Sequence, residues 1–194
     1  MDNKMKGIIG GVVGLVVILI LVFSFGGSSN SPEAVAEKAI SIGEKVLSGA
    51  KSVEDKEDVK SLYKETVNDV ADIIPGALAG LQDFIESNGG IEEIGKPEKT
   101  AELMGEFSGV IGDLEALGNQ FEELGKDKDL QKKLEKIGDS MTESDFAELL
   151  KFTLDTANAL IEKIANDEAA MEGLNFMGSI NNGPKVTKKD LLDI

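Results

Sequence analysis

Apolar residues are distributed along this chain in two regimes. From Gly7 to Phe25 the sequence GIIGGVVGLVVILILVFSF runs for nineteen residues without a charge. From Ser31 onward apolar residues return every three or four positions, the spacing of one helical face. The first regime predicts a helix about 29 Å long, close to the hydrocarbon thickness of a bilayer. Val, Leu, Ile and Phe occupy its whole circumference, so a core role would require other elements on every side. A secretory leader has a shorter apolar stretch, about 7–15 residues, and small residues at its cleavage site. Phe23-Ser24-Phe25 puts bulky rings there, although Gly26-Gly27-Ser28-Ser29 is small enough to admit a cut. We read residues 7–26 as an uncleaved transmembrane signal-anchor, with a cleaved leader as the alternative. Lys4 and Lys6 precede the run, and the first charges after it are Glu33 and Glu37. Basic flanks stay on the cytoplasmic side. Residues 1–6 are therefore expected inside, and residues 27–194 outside the cytoplasmic membrane, periplasmic or extracellular.

The second regime reads as helix throughout, so the class is all-α. After a linker over residues 27–31, Ser31-Pro32-Glu33 combines an N-cap, a first-turn proline and a first-turn acid. Val35, Ala39, Ile42 and Val46 form the apolar face of this first helix, with Ile40 and Leu47 beside them, and Gly49 is expected to close it. Ser52 is expected to open a second, carrying Val59, Leu62, Tyr63, Val67, Val70 and Ile74, with a break or kink at Pro75-Gly76. A short third segment then ends at Asn88-Gly89-Gly90. The last long helix starts at MTESDF, where Thr142 and Asp145 approximate a capping box. Its inward face is expected to hold Phe146, Leu149, Leu150, Thr153, Ala157, Leu160 and Ile164. Before it, Leu130, Leu134 and Ile137 mark a short amphipathic helix ending at Gly138. The pattern fades after Gly173, and Thr187 through Asp190 can cap one final turn. These elements predict an up-and-down bundle of about four main helices over residues 32–173, with a C-terminal tail over 174–194.

The stretch after Pro97 carries the most regular spacing. Leu103, Phe107, Val110, Leu114, Leu117, Phe121 and Leu124 step by 4, 3, 4, 3, 4, 3, a left-handed helix-packing seam. Beside it run Ala101, Gly105, Gly109, Gly112 and Ala116. Those glycines either admit a close neighbouring backbone or soften the helix. Three heptads favour a seam inside the bundle over a free-standing coiled coil. A second small-residue face lies in the apolar run: Gly7, Gly10, Gly11 and Gly14 share one side, at the small-xxx-small spacing of paired membrane helices. This face predicts a homodimer through the span.

Composition narrows the chemistry. The chain has a formal charge of −16, and every one of its twenty basic residues is lysine. Residues 1–26 contribute +1, which leaves −17 on the exported part. Such a surface repels nucleic acid and suits a cationic protein partner, while also keeping the domain hydrated. With no His and no Cys, imidazole and thiolate metal sites, cysteine nucleophiles and histidine bases cannot be built. Without Arg there is no bidentate phosphate clamp. Asp127-Lys128-Asp129 opens like a calcium loop but lacks the glycine and glutamate such a loop needs. Glu33, Glu37 and Glu44, like Glu148, Asp155 and Glu162, read as solvated faces. Tyr63 is placed inward with its hydroxyl at the rim.

The sequence therefore implies no cofactor, no metal and no catalytic residue. It implies a membrane-anchored, non-enzymatic helical domain acting as an envelope scaffold, adaptor or assembly subunit through protein–protein contacts. The alternatives are an exported carrier of an apolar ligand, a carboxylate-based enzyme, and a membrane-active helical protein.

Overall fold

The structure, a computed structural model, describes residues 32–180 and 183–193. The apolar run, its four glycines and the linker lie outside the described residues. No helix among the described residues is long and apolar enough to cross a membrane. Those residues form nine helices and no strand: α1 (Pro32–Ser52), α2 (Lys56–Ser87), α3 (Ile91–Ile94), α4 (Pro97–Glu106), α5 (Ser108–Lys126), α6 (Lys128–Ser140), α7 (Glu143–Asn166), α8 (Glu168–Ile180) and α9 (Lys188–Leu192). Together they make a helical bundle.

The 32-residue α2 is its spine, packing against α1, α7 and α8 and more lightly against α3 and α6. It starts later than Ser52, at an Asp55 capping box. The Asp55 carboxylate accepts from the Glu57 and Asp58 amides at 2.8 and 3.1 Å, and Asp58 accepts in return from the Asp55 amide. Ser52 instead ends α1, its hydroxyl donating to the Gly49 carbonyl at 3.0 Å. Gly49 lies inside α1 because Leu62 packs onto it; a Cβ there would meet Leu62 Cδ1 at 2.5 Å.

Of the break or kink expected at Pro75-Gly76, the break does not occur. α2 runs through a buried Pro75 to Ser87 and stops at Gly89 and Gly90, both at positive φ. An interior proline costs a helix about 3 kcal/mol. Here Ile73, Ala77 and Leu78 are buried around it, each large apolar side chain contributing roughly 1.5–3 kcal/mol. Tertiary burial outweighs the local defect.

Three apolar clusters line this spine. Ala39 and Ile42 of α1 meet Val70 and Ile73, with Leu114 of α5 against them. Leu78 meets Ile164 of α7 and Ala170 of α8, covered by Leu160, Met177 and Leu191. Phe84 and Ile85 meet Leu103, with Phe107 and Phe176 beside them; the Phe84 and Phe107 rings are tilted at 54° with centroids 6.1 Å apart.

All seven seam residues face inward, buried or half-buried, but the helix carrying them is interrupted at Phe107. Leu103 and Phe107 belong to the third cluster, whereas Leu114 packs in the first, so the two halves serve different neighbours. Gly105, Gly109 and Gly112 face open space, with nothing within 4 Å of an added Cβ. They admit no neighbouring backbone. The close backbone approach lies elsewhere. α8 continues through Gly173 to Ile180, and a Cβ on Gly173 would stand 1.8 Å from the Leu78 carbonyl oxygen and 2.5 Å from its carbon. Beyond α8 the chain turns back. The Asn175 amide brackets Val186, donating to its carbonyl at 2.9 Å and accepting from its N–H at 2.6 Å. A Thr187–Asp190 capping box then starts α9, and Leu191 joins the second cluster.

Glycine substitutions separate these two environments. Gly173→Ala is expected to destabilise the domain by several kcal/mol, on the order of 3, because the obstructing atoms are backbone. Gly112→Ala is expected to stabilise it by about 0.5–1 kcal/mol. Urea denaturation of the two variants measures both.

Candidate functional site

The largest convergence of charge lies where the first turns of α2 meet the start of α7. Lys56, Lys60 and Lys64 recur at four-residue spacing and so line one edge of α2. On α7, Thr142 caps the helix and Asp145 closes a capping box, accepting from the Thr142 amide at 2.8 Å and its hydroxyl at 2.7 Å. Asp145 is thereby fixed facing α2. Lys56 Nζ reaches its Oδ2 at 2.9 Å and Lys60 Nζ its Oδ1 at 3.3 Å. Glu148, one turn on, pairs with Lys60 and Lys64, both at 2.5 Å, and Glu57 adds a third carboxylate to Lys60 at 3.3 Å. Lys60 and Asp145 are the buried members, their side chains 8% and 9% exposed.

Two further contacts extend this edge. Thr153 donates its hydroxyl proton to the Leu149 carbonyl, so Tyr63 donates to Thr153 Oγ1, at 2.9 Å. Lys64 lies 5.7 Å from the centre of the Phe152 ring. Tyr63 is thus inward with its hydroxyl at the rim, as the spacing predicts. Glu148 departs from expectation: it is an interhelical partner where the seven-residue spacing suggested a solvated face. Glu33, Glu37 and Glu44 are exposed on α1, as are Asp155 and Glu162 on α7.

The electrostatics follow from these bonds. The Thr142 amide and hydroxyl, then Lys56, hold the Asp145 carboxyl well below the usual carboxylate range. Lys60 and Lys64 lower Glu148. Glu148, with Glu57 and Asp145 behind it, raises Lys60 above the ordinary lysine value against the opposing effect of burial. Of the carboxylates that converge here, Asp145 and Glu148 are both held ionised. Neither is poised to exchange a proton near neutrality, and the lysine between them is no base.

Two open grooves lie elsewhere among the described residues. A groove of roughly 370 Å³ between α2, α8 and the C-terminal return is lined by Gln82, Asn175, Phe176 and Lys185. Another of roughly 330 Å³ between α1 and α2 is floored by Ile42 and Ile73 and rimmed by Lys38, Lys45 and Asp69. Both open to solvent. Among the described residues no group of acidic side chains is arranged to hold a metal ion. Asp127, the first residue of the calcium-loop-like stretch, instead caps α6 by accepting from the Asp129 and Leu130 amides, both at 3.0 Å.

The outer side of α7 corrects a second expectation. Leu149 and Ile164 are buried, and Phe146, Thr153 and Leu160 half-buried, but Leu150 and Leu154 are 62% and 56% exposed and Ala157 is exposed. α2, α8 and α9 claim one side of the helix, so its apolar arc is wider than the surface that covers it.

The ion-pair cluster sets a pH dependence. Asp145 and Glu148 have folded values below their ordinary ones, so their contribution is full above about pH 5 and is lost as pH falls through the folded values. Lys60 is raised, so its contribution is full below about pH 10 and is lost as pH rises through its folded value. Melting temperature is therefore expected to be flat between these limits and to fall on both sides. Asp145→Asn is expected to lower it at pH 7 and to flatten the acid limb, both read from thermal melts at a series of pH values.

Comparison with known protein families, curated proteins and solved structures finds no match to this chain.

Proposed function

We propose that this protein is a membrane-anchored, non-enzymatic helical domain, displayed outside the cytoplasmic membrane, that works as an envelope scaffold, adaptor or assembly subunit by contacting other proteins. The observation that carries the reading is the uncharged Gly7–Phe25 run, flanked by Lys4 and Lys6 and followed by an acidic helical bundle. The character of the bundle supports it. Its convergent carboxylates serve as interhelical ion pairs, the two grooves among its described residues open to solvent, and its surface carries apolar side chains suited to docking. A negative domain on a short Gly/Ser tether is repelled by anionic headgroups and held clear of them, with its faces presented to partners. Cationic proteins are the favoured class of partner.

Two measurements test the anchor and the span face. The full chain is expected in the membrane pellet after alkaline carbonate extraction, with its domain digested by protease added outside while cytosolic markers survive. A soluble mature chain lacking its first two dozen residues, or a domain protected from the protease, would overturn the topology. In a membrane reporter of helix self-association, the 1–26 span is expected to pair and to lose that pairing in Gly11→Ile and Gly14→Ile. Unchanged signal in both variants would remove the span homodimer.

A further inference from the structure

The C-terminal return is held to the bundle by very little. Of the eleven residues from Gly183 to Asp193, nine are exposed and two, Val186 and Leu191, are half-buried. A helix of five residues such as α9 has no stability of its own in water, so the segment keeps its shape only while it lies on its neighbours. Elements with so few buried apolar contacts open at far less cost than the fold as a whole.

Three points along α7 and α8 grip it. Asn175 of α8 accepts from the Val186 N–H and donates to its carbonyl, a pair of bonds to backbone that any extended residue can make. Asn166 spends its amide nitrogen on the Glu162 carbonyl at 2.7 Å and so turns its oxygen to Lys188 Nζ at 2.6 Å. That oxygen stands at the C-terminal end of α7, where the helix dipole favours a cation. Leu191 then packs on the cluster of Leu78, Ile164 and Ala170. The three points select an apolar residue, a lysine two further on and a leucine three beyond that. Each could be supplied by another chain. Charge favours the same class of occupant: Lys185, Lys188 and Lys189 against Asp190 and Asp193 give the segment +1, which leaves −17 on the rest of the chain.

We propose that residues 183–193 are a displaceable self-ligand, and that the groove they fill along α7 and α8 is the docking site for a partner segment of the same chemistry: lysine-bearing, extended and then turning into a helix, with a leucine as its anchor. The partner has to displace the chain's own segment, so the closed form binds weakly and the opened form binds well. Salt weakens both contacts by screening the attraction between lysines and an acidic domain. The inference rests on the scaffold reading for the class of partner and not on the anchor. Its test is made on purified chain, so its failure and a failure of the membrane topology are read separately.

The test uses the full chain carrying Leu191→Ser, which removes the internal anchor and leaves the groove, with a fluorescent synthetic peptide of residues 183–194 followed by anisotropy. The Leu191→Ser chain is expected to bind the peptide, and the unmodified chain to bind it at least roughly tenfold more weakly, because its own segment competes at high effective concentration. Adding Asn175→Ala to the Leu191→Ser chain is expected to lower the affinity roughly tenfold, and a peptide with Lys188→Glu to lose a similar factor. No binding to the Leu191→Ser chain overturns the proposal. So do equal binding by the two chains and an affinity indifferent to Asn175→Ala or to Lys188→Glu in the peptide. A Leu191→Ser chain that no longer melts as a folded domain overturns it as well, since the segment would then be part of the fold and no ligand of it.

Discussion

A proline in the middle of a helix removes one backbone hydrogen bond and crowds the preceding turn, and this domain absorbs that defect at its centre. α2 passes unbroken through Pro75, and residues on both sides of it supply one wall of every apolar cluster. Were the helix to end there, α1 and α7 would lose their common partner, because they meet across α2 more than each other. The glycine of α8 is the counterpart of this arrangement. Gly173 lets a second backbone lie directly on the turn after Pro75, where Leu78 offers its carbonyl.

Electrostatics sets the orientation of α7 on this spine. Hydrophobic burial is indifferent to direction, but a lysine ladder facing Asp145 and Glu148 is satisfied in one register only. The cluster sets Asp145, Glu148 and Glu57 around a buried lysine, groups that elsewhere serve catalysis. Here each is neutralised by the next, and the capping hydroxyl of Thr142 takes up the remaining oxygen capacity of Asp145. Its role is positional.

Much of this was legible in the residues. The all-helical class, the Thr142 start and the Asn88-Gly89-Gly90 stop follow from periodicity and capping alone. The departures share a cause, which is that local rules were read where tertiary contacts decide. Pro75 and Gly49 looked like terminators because their costs are local and their compensating neighbours, Ile73 and Leu62, come from packing. The spacing of Gly105, Gly109 and Gly112 admits either a contact face or a softened helix, and only their open surroundings decide against the contact; Gly173, which does admit a backbone, shares no such pattern. Glu148 was assigned to solvent because nothing in a single helix announces lysines on another. Leu150 and Ala157 were assigned to the core because apolarity alone does not say how much of a helix its neighbours cover.

One consequence concerns Tyr63. The chain contains a single tyrosine and no tryptophan, and that tyrosine donates its phenolic proton across the boundary between α2 and α7. Ultraviolet emission from the unmodified polypeptide therefore comes from one known place. Undocking of α7 exchanges Thr153 for water at the phenol, so the protein carries a native optical gauge of its own helix separation, free of any added dye.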